Sequence, residues 1–95
     1  MALERLDNGY RLFPDCRRYI SKLPSDYAKP LYYDTTAFDE KALIFAHSVV
    51  GSRQLLFGTD DPFISADTSH VANLLIGAAD KELILGSNAV RIFGL

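Results

Sequence analysis

The sequence predicts an α/β fold in which a helix joins two parallel strands. Two short runs rich in apolar and aromatic residues, 31–36 and 54–58, flank a helical pattern over residues 39–50. Strand, helix and strand within about 30 residues is the pattern of a βαβ unit, whose strands pair in parallel through a right-handed crossover. In such folds the chemistry lies just beyond the carboxyl ends of the strands.

Length and composition limit the classes of protein that the chain can represent. With 95 residues, 48% of them hydrophobic and 23% charged, it is at most one globular domain. A net charge of −2 provides no basic field, so nucleic acid is not an expected partner. No apolar run approaches the roughly 18 residues of a membrane span, so no membrane partner is expected. The single cysteine, Cys16, excludes an internal disulfide and favours a cytoplasmic location.

The opening third of the chain predicts two short helices. Residues 2–12 open as a helix that we expect to stop at residues 8–9, an Asn-Gly pair. Ser25 is the expected N-cap of a turn of helix over residues 26–29, which Pro30 closes.

The middle of the chain carries the clearest local signals. Residues 31–36 form the first predicted strand, aromatic and β-branched, directly after a proline. Asp39 is placed to cap the helix that follows, and Gly51 to end it. The helix carries a broad apolar stripe suited to covering a sheet: Ala42, Leu43, Phe45, Ala46, Val49 and Val50.

Two further helices are predicted after the second strand. One of residues 67–69 (Asp, Thr and Ser) caps a helix that continues through Leu74, Leu75 and Ile76. Asp80 is expected to cap a second helix over residues 81–85. Residues 86–88, Gly-Ser-Asn, are expected to interrupt this helix before it resumes.

The most informative single residue is Asp60, which follows the second strand within the sequence GTDDPF. A carboxylate at the carboxyl end of a buried strand is a candidate metal ligand or proton shuttle. The alternative is that Asp60 and Asp61 are ordinary turn residues ahead of Pro62. Asp34 ends the first strand in the same way, so the two carboxylates could couple, or Asp34 could simply cap the loop that follows it.

Three segments, in this order, resemble the C-terminal part of the amidohydrolase-related family. The family is the metal-dependent (β/α)₈ group that includes aminocarboxymuconate-semialdehyde decarboxylase-like and resorcylate-type enzymes. The segments are LYYDT at 31–35, GSRQLLFGTDDPF at 51–63 and ILGSNAVRIFGL at 84–95. The opening RLDNGY at 5–10 and PSDY at 24–27 also resemble the part of the family that precedes its seventh strand.

This resemblance implies a fold and a set of site residues. The fold would be α/β, a partial (β/α)₈ TIM barrel comprising the last two parallel strands with their helices, with all of residues 1–95 belonging to one incomplete domain. Asp60 matches the family's metal-binding, proton-shuttling aspartate, and Phe63 matches an aromatic that lines the substrate pocket. Asp34 is a second candidate substrate contact, chosen for its place at the end of the first strand and not from the resemblance. Asp61 departs from the family, which more often has an aromatic there.

The resemblance also implies a function and indicates what this chain lacks. The complete enzyme would be a metal-dependent hydrolase or decarboxylase acting on a small carboxylated or cyclic substrate. Its cofactor would be a divalent metal, and zinc is the metal we expect. A whole barrel needs about 250 residues. The family's His-x-His is missing, and neither His47 nor His70 matches a family ligand.

We therefore expect the isolated chain to be inactive and to hold no metal stably. It would pair with a copy of itself or with a missing N-terminal barrel segment. The alternative is a non-catalytic protein that acts only as an oligomerising α/β module.

Overall fold

The computed structural model describes residues 2–64 and 67–95. The chain divides into two compact units, Met1–Leu31 and Tyr32–Leu95. Each unit is built around its own hydrogen bonds.

The first unit is a pair of helices held by a buried carboxylate. Its elements are helix α1 (Leu3–Leu12), a 3₁₀ turn (Pro14–Arg17) and helix α2 (Pro24–Ala28). Asp7 lies on α1 and is only 4% exposed. Its Oδ1 accepts the backbone N–H of Ser25 at 2.9 Å, in the first turn of α2. A negative charge at the start of a helix is favourable, so Asp7 joins the two helices of this unit.

Two predictions for this unit are wrong. Helix α1 does not stop at residues 8–9, because the carbonyl of Gly9 still accepts a helical hydrogen bond, from the N–H of Phe13 at 2.9 Å. Ser25 is not an N-cap, because Pro24 takes the first helical position. Proline suits that position, since its fixed φ is helical and its missing N–H would have no partner there.

The second unit contains the sheet and the remaining helices. Its elements are strand β1 (Tyr33–Asp34), helix α3 (Glu40–Val50), a 3₁₀ turn (Ser52–Gln54), strand β2 (Leu55–Leu56), helix α4 (Ser69–Ala72), helix α5 (Ala78–Glu82), a π-helical turn (Leu83–Ser87) and helix α6 (Asn88–Phe93).

The predicted parallel pairing is confirmed. Strands β1 and β2 are hydrogen-bonded neighbours in a parallel two-stranded sheet, with Tyr33 opposite Leu55 and Asp34 opposite Leu56. Helix α3 lies between the strands in the chain, as a βαβ unit requires. The right-handed sense of the crossover stays a prediction from the general rule for such units.

Both strands are shorter than the predicted runs 31–36 and 54–58. The reason is that backbone donors beyond β2 bond elsewhere. The N–H of Phe57 donates to the carbonyl of Ile84 at 3.0 Å. The N–H of Gly58 donates to a side chain, Thr35 Oγ1, at 3.1 Å. A helix carbonyl and a hydroxyl therefore replace the next rungs of the ladder.

Helix α3 has the ends that its sequence predicts. Asp39 Oδ2 accepts the N–H of Ala42 at 2.8 Å, which satisfies one of the unpaired donors of the first turn. Gly51 ends the helix with φ near +80°, a conformation that glycine adopts without strain. Leu43 is buried on the inner face of α3.

The core of the second unit lies where strand β2 meets the later helices. Leu55, Val71 and Ile84 are at most 1% exposed and pack together. Partly buried neighbours complete this cluster: Tyr33, Ala46, Val50, Phe57, Ile76 and Leu85. Burying a large aliphatic side chain contributes about 1.5–3 kcal/mol, so these contacts hold the sheet to its helices.

The predicted helix after residues 67–69 is only one turn long. Thr68 holds the N-cap position of α4 without a side-chain bond, while Asp67 Oδ1 accepts the N–H of Ser69 at 2.8 Å. Leu74 is buried beyond the end of α4, and Leu75 is 88% exposed.

The last helices also differ from their predicted ends. Asp80 is not an N-cap, because α5 starts at Ala78 with Gly77 before it, and Asp80 instead accepts a hydrogen bond from Ser52 Oγ at 2.9 Å. The α-helix is interrupted as predicted, but the interruption spans Leu83–Ser87 and remains helical. A π-helical turn accommodates Gly86, with the N–H of Asn88 donating to a carbonyl five residues earlier.

No helix in the described ranges is long and apolar enough to cross a membrane.

Candidate active site at the carboxyl ends of the strands

Because β1 and β2 are parallel, the residues that follow them emerge at the same edge of the sheet. Asp34 Oδ1 accepts both the backbone N–H of Thr36, at 3.0 Å, and the hydroxyl of Thr36. Asp34 could either couple with Asp60 or cap the loop that follows it. The bonds to Thr36 are those of a loop cap. Asp34 itself is exposed.

Gly58 lies in close contact with this first loop. A Cβ atom added at Gly58 would come within 3.1 Å of Thr36 Cγ2 and 3.4 Å of Asp34 Cβ. The first of these approaches is tighter than ordinary van der Waals contact, and the second is at its lower limit. A glycine at this position therefore allows the two strand ends to lie together.

Asp60 follows Gly58 by two residues and has an unusual backbone. Its φ is 59°, in the left-handed region that aspartate tolerates better than most residues. Its carbonyl accepts the N–H groups of Phe63, at 2.9 Å, and Ile64, at 3.2 Å. The Asp61–Pro62 peptide bond is cis. The two hydrogen bonds to the carbonyl of Asp60 make residues 60–64 a tight turn.

The side chains on this turn face solvent. Asp60 is exposed, and Phe63 is 86% exposed. Within the described ranges 2–64 and 67–95, the Asp60 carboxylate makes no hydrogen bond or ion pair.

His70, which the sequence did not indicate as a site residue, lies beside the strand ends. His70 Nε2 is 2.9 Å from Thr35 Oγ1, and Thr35 is 1% exposed. The imidazole stacks on Phe57 with ring centres 5.4 Å apart, and it meets Phe38 edge-on at 4.8 Å. The imidazole is half-buried. The only local signal was a histidine at the start of a short helix.

A small cavity of about 120 Å³ lies beside this histidine. Its lining is Phe38, Glu40, Ser69, His70, Asn73 and Leu74. Near it, hydrogen bonds from Ser69 lower the pKa of Asp67, and His70 adds a smaller effect in the same direction.

The other histidine belongs to a separate cluster. His47, in the last turn of α3, has its Nε2 3.5 Å from Asp80 Oδ2. Asp80 Oδ1 accepts the hydroxyl of Ser52. Because that hydroxyl donates to a carboxylate, Ser52 is held as a structural donor that links α5 to the turn before β2.

The residues that the structure describes do not form a metal site by themselves. They contain no group of three His, Cys, Asp or Glu side chains placed to hold an ion. A catalytic zinc takes three protein ligands and a water. Asp60, an exposed carboxylate, has the chemistry of one such ligand.

Comparison with known proteins identifies the family. The family model described as amidohydrolase matches residues 2–95, and the chain belongs to that family. A curated relative, 2-amino-3-carboxymuconate-6-semialdehyde decarboxylase of Dictyostelium discoideum, is 30% identical over 101 residues. That alignment covers 99% of this chain and 28% of the relative.

Two solved structures are similar over almost the whole chain. One is 2,6-dihydroxybenzoate decarboxylase complexed with 2,6-dihydroxybenzoate, with a TM-score of 0.84 and 29% identity over 99% of this chain and 31% of that one. The other is Metarhizium anisopliae IDCase in its apo form, with a TM-score of 0.78 and 26% identity over 98% of this chain and 30% of that one. These relatives are TIM-barrel enzymes of the amidohydrolase family, and the chain spans less than a third of their length.

Proposed function

We propose that this chain supplies the seventh and eighth strands, with their helices, of a (β/α)₈ barrel in a metal-dependent decarboxylase or hydrolase. The substrate would be small and carboxylated or cyclic. The parallel pairing of β1 and β2 and the two decarboxylases among the relatives support this proposal. In a barrel of this kind the active site lies at the carboxyl face of the strands.

The observation that carries the proposal is the position of Asp60. Its carboxylate is exposed on a tight turn four residues beyond strand β2, and the loops after the strands are where a barrel enzyme presents its reacting groups. We assign Asp60 two roles: one ligand to a divalent metal, and the group that takes a proton from the substrate or water and returns it. A divalent metal at this position would act as a Lewis acid.

We assign two further residues to substrate contact. Phe63 presents an almost fully exposed ring on the same turn as Asp60, so its face is available to a flat cyclic substrate. Asp34 uses only Oδ1 in its two bonds to Thr36. Within the described residues Oδ2 has no hydrogen bond, and this oxygen is the one that would meet a polar group of the substrate.

The decisive experiment is a chimeric enzyme. The segment of 2,6-dihydroxybenzoate decarboxylase that aligns with this chain is replaced by residues 2–95, and both bound metal and release of CO₂ from 2,6-dihydroxybenzoate are measured. We expect the chimera to bind metal and to be active. A folded chimera without either property would contradict the proposal.

A matched pair of substitutions then tests the assignment to Asp60. Asp60→Asn keeps the shape of the side chain but carries no negative charge and accepts no proton, so kcat should fall by at least about 100-fold. Asp61→Asn, one residue further along the same turn, should lower kcat far less. Full activity in Asp60→Asn, or loss of activity in Asp61→Asn alone, would show that the site is wrongly assigned.

A second candidate function is a non-catalytic oligomerising module. A groove of about 480 Å³ on the outer face of α3 supports it, with Phe45 48% exposed and Leu75 88% exposed at its lining. Apolar surface of this kind is usually covered by a partner. We propose that in such a module a second copy of the chain covers this groove.

A further inference from the structure

Three polar groups converge on the buried hydroxyl of Thr35. The N–H of Gly58 donates to Oγ1 at 3.1 Å. The carbonyl oxygen of Gly58 lies 3.3 Å from the same atom, and His70 Nε2 lies 2.9 Å from it. A hydroxyl has one proton to donate and two lone pairs to accept with.

Only one arrangement of protons satisfies all three contacts together. The carbonyl can only accept, so the Thr35 hydroxyl must donate to it. Both lone pairs then accept, one from the N–H of Gly58 and the other from His70. His70 must therefore carry its proton on Nε2. If the proton were on Nδ1, Thr35 would have to donate to Nε2, and the carbonyl of Gly58 would lose its partner.

The surroundings of His70 hold the ring in place for this bond. Phe57 covers one face, and the edge contact with Phe38 limits rotation. Phe38 has a φ of 57°, which is uncommon for a bulky residue, so the backbone departs from its ordinary range where this ring meets the imidazole. Both rings belong to loops that leave the strands, residues 35–39 and 57–60.

We propose that His70 is a positioning residue, which acts through Thr35 to fix Gly58 and with it the turn that presents Asp60. The histidine orders the hydroxyl, the hydroxyl binds both backbone groups of Gly58, and Asp60 follows two residues later. We call this set of hydrogen bonds, from His70 through Thr35 to Gly58, the relay. The consequence for catalysis rests on the role proposed above for Asp60, whereas the relay itself does not.

Amide hydrogen exchange of the full 95-residue chain, followed by NMR, tests the relay. The informative amides are those of Gly58, bonded to Thr35, and Phe63, bonded to the carbonyl of Asp60. The reference is the amide of Phe57, next in the chain but bonded to Ile84. In Thr35→Val, which keeps the shape and loses the hydroxyl, the first two should exchange at least about tenfold faster while Phe57 is unchanged. Thr35→Ser, which keeps the hydroxyl, should restore both rates.

A second pair of variants addresses the histidine directly and decides the question if Thr35→Val does not fold. His70→Leu should accelerate the same two amides, and His70→Gln, whose amide can donate in place of Nε2, should restore them. In the wild-type chain, ¹⁵N chemical shifts of the imidazole at neutral pH should show a protonated Nε2.

Three results would overturn the proposal. The first is an unprotonated Nε2. The second is an unchanged rate at Phe63 in both Thr35→Val and His70→Leu. The third is an equal acceleration at Phe57 with no rescue by the conservative variants, since this would show general loosening. The measurements need neither metal nor substrate, so a failure here leaves the assignment of Asp60 standing, and a tolerated Asp60→Asn would leave the relay standing.

Discussion

Removing the side-chain amide of Asn88 should destabilise the second unit more than its size suggests. Asn88 is fully buried at the start of α6. Its Nδ2 donates to the carbonyl of Ser52 at 2.7 Å and to that of Leu55 at 2.8 Å. Its Oδ1 accepts from Arg91 at 3.1 Å. One side chain therefore satisfies one carbonyl in the 3₁₀ turn before β2 and one at the start of β2, from a helix more than 30 residues away.

The expected loss follows from the burial of the two carbonyls. The bond to Leu55 is buried, so losing its donor leaves an unsatisfied acceptor, which costs about 1–3 kcal/mol. The bond to Ser52 is only partly buried, so water can replace part of it and the loss is about 1 kcal/mol. Asn88→Ala should therefore lower the free energy of unfolding by about 2–4 kcal/mol.

Urea denaturation followed by circular dichroism at 222 nm measures this change. Ser87→Ala is the matched control, since Ser87 is the exposed neighbour of Asn88 and should stay within about 0.5 kcal/mol of wild type. Asn88→Asp keeps the shape but cannot donate to either carbonyl at neutral pH, so it should lose at least as much as Asn88→Ala. A change in Asn88→Ala no larger than in the control would refute the reasoning.

Three further predictions concern metal, assembly and acid. The chain purified without added metal should contain far less than one equivalent of zinc by elemental analysis, because Asp60 provides one ligand where a catalytic zinc takes three, and a stoichiometric content would contradict this. Sedimentation at micromolar concentration should show a dimer or larger species, because Leu75 is 88% exposed and Leu95 82%, and a monomer that unfolds cooperatively would count against it. Hydrogen bonds from Ser25 lower the pKa of Asp7 below 3.8, so the stability that Asp7 contributes is present above that pH and is lost as pH falls through the lower folded value. Denaturation curves collected between roughly pH 5 and 2 should therefore show a steeper loss for wild type than for Asp7→Asn, and parallel losses would refute the coupling.

The parts of the fold that the sequence predicted correctly are the ones that local chemistry decides. The N-cap at Asp39 and the left-handed glycine at Gly51 are bonded to residues a few positions away, so their neighbours in the sequence are enough to identify them. The parallel pairing follows from the strand–helix–strand order. Strand length was not predictable in the same way, because the donor of Phe57 goes to Ile84, far along the chain.

In the candidate site, too, the sequence predicted local features and missed contacts between distant residues. Asp60 could be located from sequence because its place after an apolar run is a local pattern, although its left-handed backbone was not foreseen. The pairing of Thr35 with His70 joins residues 35 positions apart, and no periodicity connects them. The bonds of Asn88 could not be predicted for the same reason, because its partners, the carbonyls of Ser52 and Leu55, lie in the turn before β2 and in β2 itself.

The π-helical turn at Leu83–Ser87 has a consequence for changes in chain length. Each residue turns an α-helix by about 100° around its axis. The π-helical turn contains one residue more than an α-helical turn, so it changes the direction in which side chains after the turn point relative to those before it. Ile84 enters the core near the start of the turn, and Asn88 reaches the carbonyls of Ser52 and Leu55 after it. Deleting Gly86 would restore a regular helix and rotate one of these two side chains out of place by about 100°. This segment should therefore accept substitutions at its exposed positions but no deletion between Ile84 and Asn88, whereas surface loops usually tolerate changes in length.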